Sequence, residues 1–327
     1  MRPLFRPFVG TLAALGAAAL TTTLLASPAT AKPAITLTPG DLPRGADVAV
    51  PHVEGTTVVD GAVRVTISAP VVRLLGKSGS AYVVATANKQ GGHGRIFRVT
   101  AQGDRTLLTK ANVYQTILSG DGARIVATKN TRTSKSTITA YDATTGAQLA
   151  SRSFKGYPSA LDAETDRVLI GTVDKTLLWT TTGDSVGVVN AKPGYVGDLS
   201  SDVLATFTKD PYDGGCTLVT RITTGAKLWR SCTEAVAAFN PDATRIATVG
   251  ILSDGPGPGR VDARTIDGKH LGRYQVRANW FGEITWESQT ALLLEVNGAR
   301  KAFTARCTGT DCERASKLRP AETLRAA

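Results

Sequence analysis

Residues 119–128 read Ser119-Gly-Asp-Gly-Ala-Arg-Ile-Val-Ala-Thr128, a small polar turn followed by a short run of apolar and β-branched side chains. Asp-Gly is a strong turn signal and the run after it is too short to carry a helical period, so the pair reads as a turn feeding a buried strand. The run recurs as Ala81-Tyr-Val-Val-Ala, Arg124-Ile-Val-Ala-Thr, Arg167-Val-Leu-Ile-Gly, Asp202-Val-Leu-Ala-Thr, Arg245-Ile-Ala-Thr-Val and Ala291-Leu-Leu-Leu-Glu, with starts 43, 43, 35, 43 and 46 residues apart. Comparable polar turns precede two others, Asp162-Ala-Glu-Thr-Asp and Asn240-Pro-Asp-Ala-Thr. A turn glycine follows each run, at Gly103, Gly146, Gly183, Gly225, Gly268 and Gly309, spaced by 43, 37, 42, 43 and 41. Two landmarks that keep one period define an internal repeat.

Each unit reads as four strands. In the second they are 114–118, 124–129, 136–142 and 148–154, joined by turns rich in Gly, Asp, Asn and Thr. Four strands in about 42 residues is the arithmetic of a β-propeller blade, which buries its two faces only against its neighbours in a ring. A β-sandwich or a pair of barrels uses similar strands without needing the period, so the fold expected is all-β, a propeller of four-stranded blades. Complete units run approximately over 71–115, 116–157, 158–193, 194–233, 234–277 and 278–320. Residues 53–70 add a strand pair, 56–59 and 63–67, around the hairpin turn Asp60-Gly61. That pair either covers an outer edge or completes a seventh blade with strands from the C-terminus. The tail beyond Cys312 holds little strand-forming material, so six blades are preferred and seven are the alternative.

The ends read differently. Arg2 and Arg6, the nearly uncharged run 9–26 and Ala29-Thr-Ala31 have the three regions of a secretory signal, with cleavage expected after Ala31. The remaining boundaries are an N-terminal lead over 32–52, the propeller over 53–320 and a tail over 321–327. The lead reads as a flexible leader and the tail as fraying. Ser27 stands where a lipoprotein would need cysteine, and the apolar run lacks the flank of a membrane anchor, so no integral membrane segment is expected after cleavage. The whole chain of 327 residues carries +11, and removal of the signal leaves 36 bases against 27 acids, with a mean hydropathy of −0.03 for the whole. The bases are scattered rather than striped among aromatics, which argues against nucleic acid and leaves solubility or an anionic surface outside the cell.

Four cysteines in an exported chain imply two disulfides. Cys216 and Cys232 begin the third strand and end the fourth strand of one hairpin turning at Thr223-Thr-Gly225, and Cys307 and Cys312 flank Thr308-Gly-Thr-Asp311, so the expected pairs are Cys216 with Cys232 and Cys307 with Cys312.

The stretch Asn240-Pro-Asp-Ala-Thr-Arg-Ile-Ala, with Asp121-Gly-Ala-Arg-Ile-Val-Ala, resembles the turn and buried strand of bacterial secreted or periplasmic WD40-like and TolB-like propellers, over about residues 71–320. The resemblance implies repeat architecture and an extracytoplasmic place, while such propellers serve as envelope scaffolds, protein-binding modules and enzyme domains. No strand here ends in Trp-Asp, the matching Gly-His is missing, and the separate N-terminal domain of TolB-like proteins is absent from the sequence.

The search for chemistry gives no catalytic constellation, no cofactor motif and no metal set. Gly76-Lys-Ser-Gly lacks the upstream glycine and the following helix of a phosphate loop, and His52, His93 and His270 are scattered among turns. Asp162, Glu164, Asp210, Asp213, Asp242 and Glu283 are the acids that a glycan hydrolase or lyase would draw on across the channel, although most sit where an aspartate bonds its own turn. Glu283 stands apart, on an inner-strand candidate. Two stretches are binding candidates: Lys209-Asp210-Pro-Tyr212-Asp213-Gly-Gly, and Trp280-Phe281 with Arg277, where the rings would rim one face and stack on a sugar or peptide. Loops 88–95, 130–135 and 252–260 join second to third strands and so share a face, which would be basic. The function expected is a non-enzymatic, monomeric binding or scaffold module that engages a protein or an anionic cell-envelope polymer, with the glycan-active enzyme as its alternative.

Overall fold

The computed structural model describes residues 34–131 and 134–321; the expected signal sequence and nearly all of the tail lie outside them. No helix among the described residues is long and apolar enough to cross a membrane. The chain forms seven successive sheets, the blades of a β-propeller. Six have four strands each in chain order from the channel outward. Their inner strands are Val71–Ser78, Thr116–Leu118, Ser159–Glu164, Gly194–Asp198, Glu234–Phe239 and Trp280–Trp286. The repeat boundaries read from the sequence coincide with these six. The preferred count of six gives way to the alternative of seven, because His52–Glu54, Thr57–Asp60 and Val63–Thr66 form a sheet of their own.

The recurring apolar run is the second strand of each complete blade. All seven residues of Ala81–Ala87 are buried, since neighbouring blades press on both faces and alternation loses its meaning. The cores sit between blades: Val83, Ile96 and Leu108 of the second blade meet Ile125 of the third, and Val126 and Ile138 of the third meet Val168 and Trp179 of the fourth. Inner and second strands slip register once in five of the six complete blades, at Leu74/Gly76, Ala160/Asp162, Gly194/Val196, Val236/Ala238 and Phe281/Ile284, bulges that add the twist a blade needs. Each landmark glycine makes the turn from third to outer strand with positive φ, between +61° and +96°. That turn packs on the outer strand of the blade before: a Cβ on Gly146 would meet Leu108, one on Gly268 would meet Trp229, and Gly309 O accepts from Tyr274 Oη at 2.8 Å.

The first blade obeys the same rules with one strand fewer. Gly103 abuts Val65, which makes Val63–Thr66 the outer strand, and Gly61, also at positive φ, falls 42 residues before Gly103 and extends the glycine series to seven. The Asp60 turn lies by Lys77 and Tyr82, at the far end of the neighbouring inner strand, so His52–Glu54 runs in the direction of a second strand. The strand absent from this blade among the described residues is therefore the inner one, and none of the described C-terminal strands completes it. Arg319–Pro320 pairs instead with Lys301–Thr308 of the seventh blade.

The lead is a strap, a correction to its reading as a free leader. Ile35–Thr36 adds in parallel to the outer edge of the sixth blade, at Tyr274 and Gln275, and Leu37 is buried in that core. The chain then bonds along the seventh blade, Arg314 N to Pro43 O at 2.8 Å and Val48 N to Ala315 O at 3.0 Å, and Val48 packs on Leu293 and Ala315. Arg306 pins this crossing. Its guanidinium donates to Glu287, to Glu313 at 2.5 Å, and to the carbonyls of Ala46 and Asp47 at 3.2 and 2.9 Å, while Glu287 also accepts Ala49 N at 2.6 Å. Arg306 and Glu287 side chains are 15% and 9% exposed, and the bond between them holds the Glu287 carboxyl below its ordinary pKa.

Both disulfides form as expected, Cys216 with Cys232 and Cys307 with Cys312, each tying a third strand to the strand after it. Replacing Arg306 by Met leaves Glu287 buried without its cation and frees the strap, and the expected loss is about 3–5 kcal/mol in guanidinium unfolding. A loss below about 1 kcal/mol would contradict the strap's part in closure.

Candidate binding face

In a blade whose inner strand enters from one face, the loops from second to third strand and the links between blades emerge together, and the two other kinds of turn emerge on the opposite face. The described loops of the first face, here the loop face, carry seven Lys or Arg against four acids. The opposite turn face carries eight acids against one base, Lys269. Loops 88–95, 130–135 and 252–260 belong to the loop face, as their spacing predicts, with residues 132–133 outside the described set.

Most of the turn-face acids are spent on their own turns. Asp121 accepts from Ser119 Oγ, Ala123 N and, across to the next blade, Thr165 N; Asp242 accepts from Thr244 N and Oγ1 at 3.0 and 2.6 Å; Asp184 accepts Trp179 Nε1 at 2.9 Å. Bonds to Thr244 hold the Asp242 carboxyl below its ordinary pKa, and an Arg152 contact does the same for Asp184. These acids fasten turns rather than await a ligand.

Apolar exposure follows the same asymmetry. Five large hydrophobic side chains stand exposed on loops: Tyr114, Tyr157, Val173, Tyr212 and Leu252. All five are on the loop face; of the other exposed ones, Leu107, Leu149 and Val188 lie on outer strands and Leu318 in the connection between Asp311–Arg314 and Arg319–Pro320 at the edge of the seventh blade. No exposed large hydrophobic occurs on the described turns of the opposite face.

The two stretches singled out in the sequence meet on this face through a third. Asp210 caps a single 3-10 turn, Pro211–Asp213, by accepting Tyr212 N at 2.9 Å, and Gly214 closes it in the left-handed region at φ +81°. Asp210 is thereby committed to its backbone, Asp213 is exposed beside it, and no cluster of three or more metal-ligating side chains exists among the described residues. Tyr212, 69% exposed, donates from Oη to Asp254 Oδ2 at 2.9 Å and so joins the loop of the sixth blade. That loop, 251–259, lies on the seventh blade. Pro258 O accepts Phe281 N at 2.8 Å, and Gly257 comes so close to Phe281 O and the Trp280 ring that a Cβ would collide with both.

Trp280 and Phe281 are accordingly roofed over, and the expectation of a stacking rim is corrected. Phe281 is completely buried in a core cluster and Trp280 retains 8% exposure, whereas Arg277 is exposed at the edge of the loop face. The result is a ridge in which the loops of the fifth and sixth blades are joined to each other and to the seventh blade, with Lys209, Tyr212, Leu252 and Arg277 exposed on the same face. Spacing alone could not reveal the bridge, because the Gly-Pro-rich sequence that makes it is not shared by the counterpart loops of the other blades.

Two of the candidate acids on inner strands have carboxyls raised above their ordinary pKa. Burial pushes the Asp162 carboxyl up to about 6, although its Oδ2 accepts Leu199 N at 2.7 Å, with Asp198 and Glu164 adding in the same direction. Glu283 is reached by solvent yet crowded by the channel wall, and this desolvation, then Glu295, raises its carboxyl too. The two belong to the inner strands of the fourth and seventh blades, three blades apart, and each responds to its own neighbours.

No protein-family model matches the chain, and no curated protein sequence matches it. Solved structures do. Hsv2 of Kluyveromyces lactis matches over 84% of this chain and 96% of its own, with a TM-score of 0.55 at 12% identity. An uncharacterized protein of Listeria monocytogenes matches over 76% and 83%, with 0.51 at 14% identity. The acylaminoacyl peptidase of Pyrococcus horikoshii gives 0.57 at 11% identity over 80% of this chain and 47% of the peptidase. The fold shared with these structures is the β-propeller. At these identities the likeness shows the fold alone.

Asp162 supplies a test of the inter-blade electrostatics. Its folded pKa lies above the ordinary aspartate value, so its contribution to stability is full below about pH 4 and is lost as pH rises through about 6. Asp162→Asn keeps an acceptor for Leu199 N–H and removes the ionisation. Urea midpoints at pH 4.5 and 7.5 should therefore fall less with rising pH in the variant than in the parent, and parallel changes in both would refute the assignment.

Proposed function

We propose that the chain is an exported, non-enzymatic propeller that acts as a binding or scaffold module through its loop face. The observation that carries this reading is the gathering of Tyr114, Tyr157, Val173, Tyr212 and Leu252 on the one face whose loops carry an excess of bases. Exposed apolar side chains rimmed by charge mark interaction surfaces, and a positive field speeds the approach of an anionic partner. Val173 and Leu252, which offer neither hydrogen bonds nor an aromatic face, favour a protein with an acidic surface over a purely anionic polymer. Two disulfides support an oxidising, extracytoplasmic setting, and the expected signal sequence agrees with it. The TolB-like resemblance and a bacterial envelope partner belong to the same reading.

The test is photo-cross-linking of the exported protein in the envelope of its host, with a cross-linker at Tyr157 or Tyr212 and, separately, at Thr145 on the turn face. A discrete protein adduct is expected from the loop-face positions alone. Val173→Glu with Lys209→Glu should lower its yield at least tenfold, and moderate salt should lower it in the parent. Equal adducts from both faces would contradict the reading, and adducts only to polysaccharide or teichoic-type polymer would replace the protein partner by the anionic polymer.

A further inference from the structure

Six inner strands border the channel, and the seventh place, between Trp280–Trp286 and Val71–Ser78, has the incomplete first blade behind it. Strand alternation identifies which backbone groups face that place. Gly55-Thr56 forms a two-residue turn, so Glu54 and Thr57 are a hydrogen-bonded pair and Val53 with Val58 the non-bonded pair that follows. The same alternation, counted from the Asp60/Val63 turn and from the bond of Ile67 N to Thr56 O, directs the N–H and C=O of Val58 to Val65. The N–H and C=O of Val53 therefore point away from the sheet, toward the place an inner strand holds in the other six blades.

The flanks of this place are charged and open to solvent. Arg73 and Glu283 are both exposed, one on each bordering inner strand, and Arg73 and His52 act electrostatically on Glu283. Arg73 donates to Val113 O and Thr116 O at 2.9 and 3.3 Å and is committed to the third blade. The Glu283 carboxylate makes no hydrogen bond or ion pair among the described residues, and the nearby Glu295 carboxylate accepts Glu283 N at 3.1 Å. With the Arg73 donors engaged by carbonyls, the charged group left without a hydrogen-bonding partner among the described residues at the place of the missing strand is the Glu283 carboxylate.

We propose that an extended segment of a partner protein, bearing a lysine or arginine, adds here as the seventh inner strand. It pairs antiparallel to His52–Glu54 through the free N–H and C=O of Val53, enters from the loop face, and sets its base against Glu283. Backbone pairing supplies a sequence-tolerant part of the affinity, and the carboxylate selects for a cation. This site is separate from the loop-face ridge, and its failure would leave the loop-face reading intact.

The test is selection from a displayed library of linear ten-residue peptides on the full exported chain with its disulfides formed. Enriched peptides should share one Lys or Arg flanked by β-branched residues, and synthetic copies should bind in fluorescence anisotropy. Glu283→Gln should weaken them about tenfold by removing the charge-assisted contact. Val53→Pro, which deletes an N–H that the β-sheet does not use, should weaken them about fivefold or more. Enrichment of no peptide family, or of peptides that bind both variants as tightly as the parent, would overturn the proposal.

Discussion

The ring depends on a single arginine meeting the chain's own beginning. Blades bury their faces only against neighbours, so every inter-blade core presupposes that the first and last blades are held together. Among the described residues, neither the first nor the seventh blade takes a strand from the other. Closure falls to residues 35–49, laid over the sixth and seventh blades, and to Arg306, whose donors engage Glu287, Glu313 and two carbonyls of the strap. A guanidinium suits this task because its fixed fork can satisfy carboxylates and carbonyls at once, with little conformational freedom left to lose. Glu287 in turn accepts Ala49 N, so the ion pair also sets where the chain enters the first blade.

Much of this was legible beforehand, for identifiable reasons. The repeat is written in turn glycines and in fully buried second strands, and both are local demands of blade geometry that sequence must meet. The disulfides were legible because both join adjacent strands of a hairpin. The incomplete first blade was harder, since its shortened strands lack the apolar run. Its signal was present in Gly61, one period before Gly103. The strap left no mark, because a parallel two-residue pairing such as Ile35–Thr36 with Tyr274–Gln275 needs no periodicity. Trp280-Phe281 misled for a related reason: a strand-end aromatic looks exposed until the loop that covers it, here Gly257-Pro258, is known.

The asymmetry between faces follows from what each kind of turn must do. Turns from inner to second and from third to outer strand are tight, and aspartates there satisfy backbone N–H groups, which makes that face acidic without making it a site. Loops from second to third strand vary in length and owe less to the repeat. They are free to present Tyr212, Val173 and Leu252 to solvent, and the bond from Tyr212 to Asp254 shows two of them acting as one surface. Rigid scaffold and variable loop are thus separated by face.

Hydrogen exchange on the exported full chain tests the central claim, that an N-terminal strap closes a seven-bladed ring, most directly. Val48 N–H is bonded to Ala315 O and Ala49 N–H to Glu287, and such bonds inside a cooperative unit exchange only when that unit opens. The account predicts protection of peptides spanning 43–49 that matches the second strand Leu292–Asn297 and is lost together with it in Arg306→Met. Exchange of 43–49 within seconds, while Leu292–Asn297 stays protected, would contradict closure by the strap.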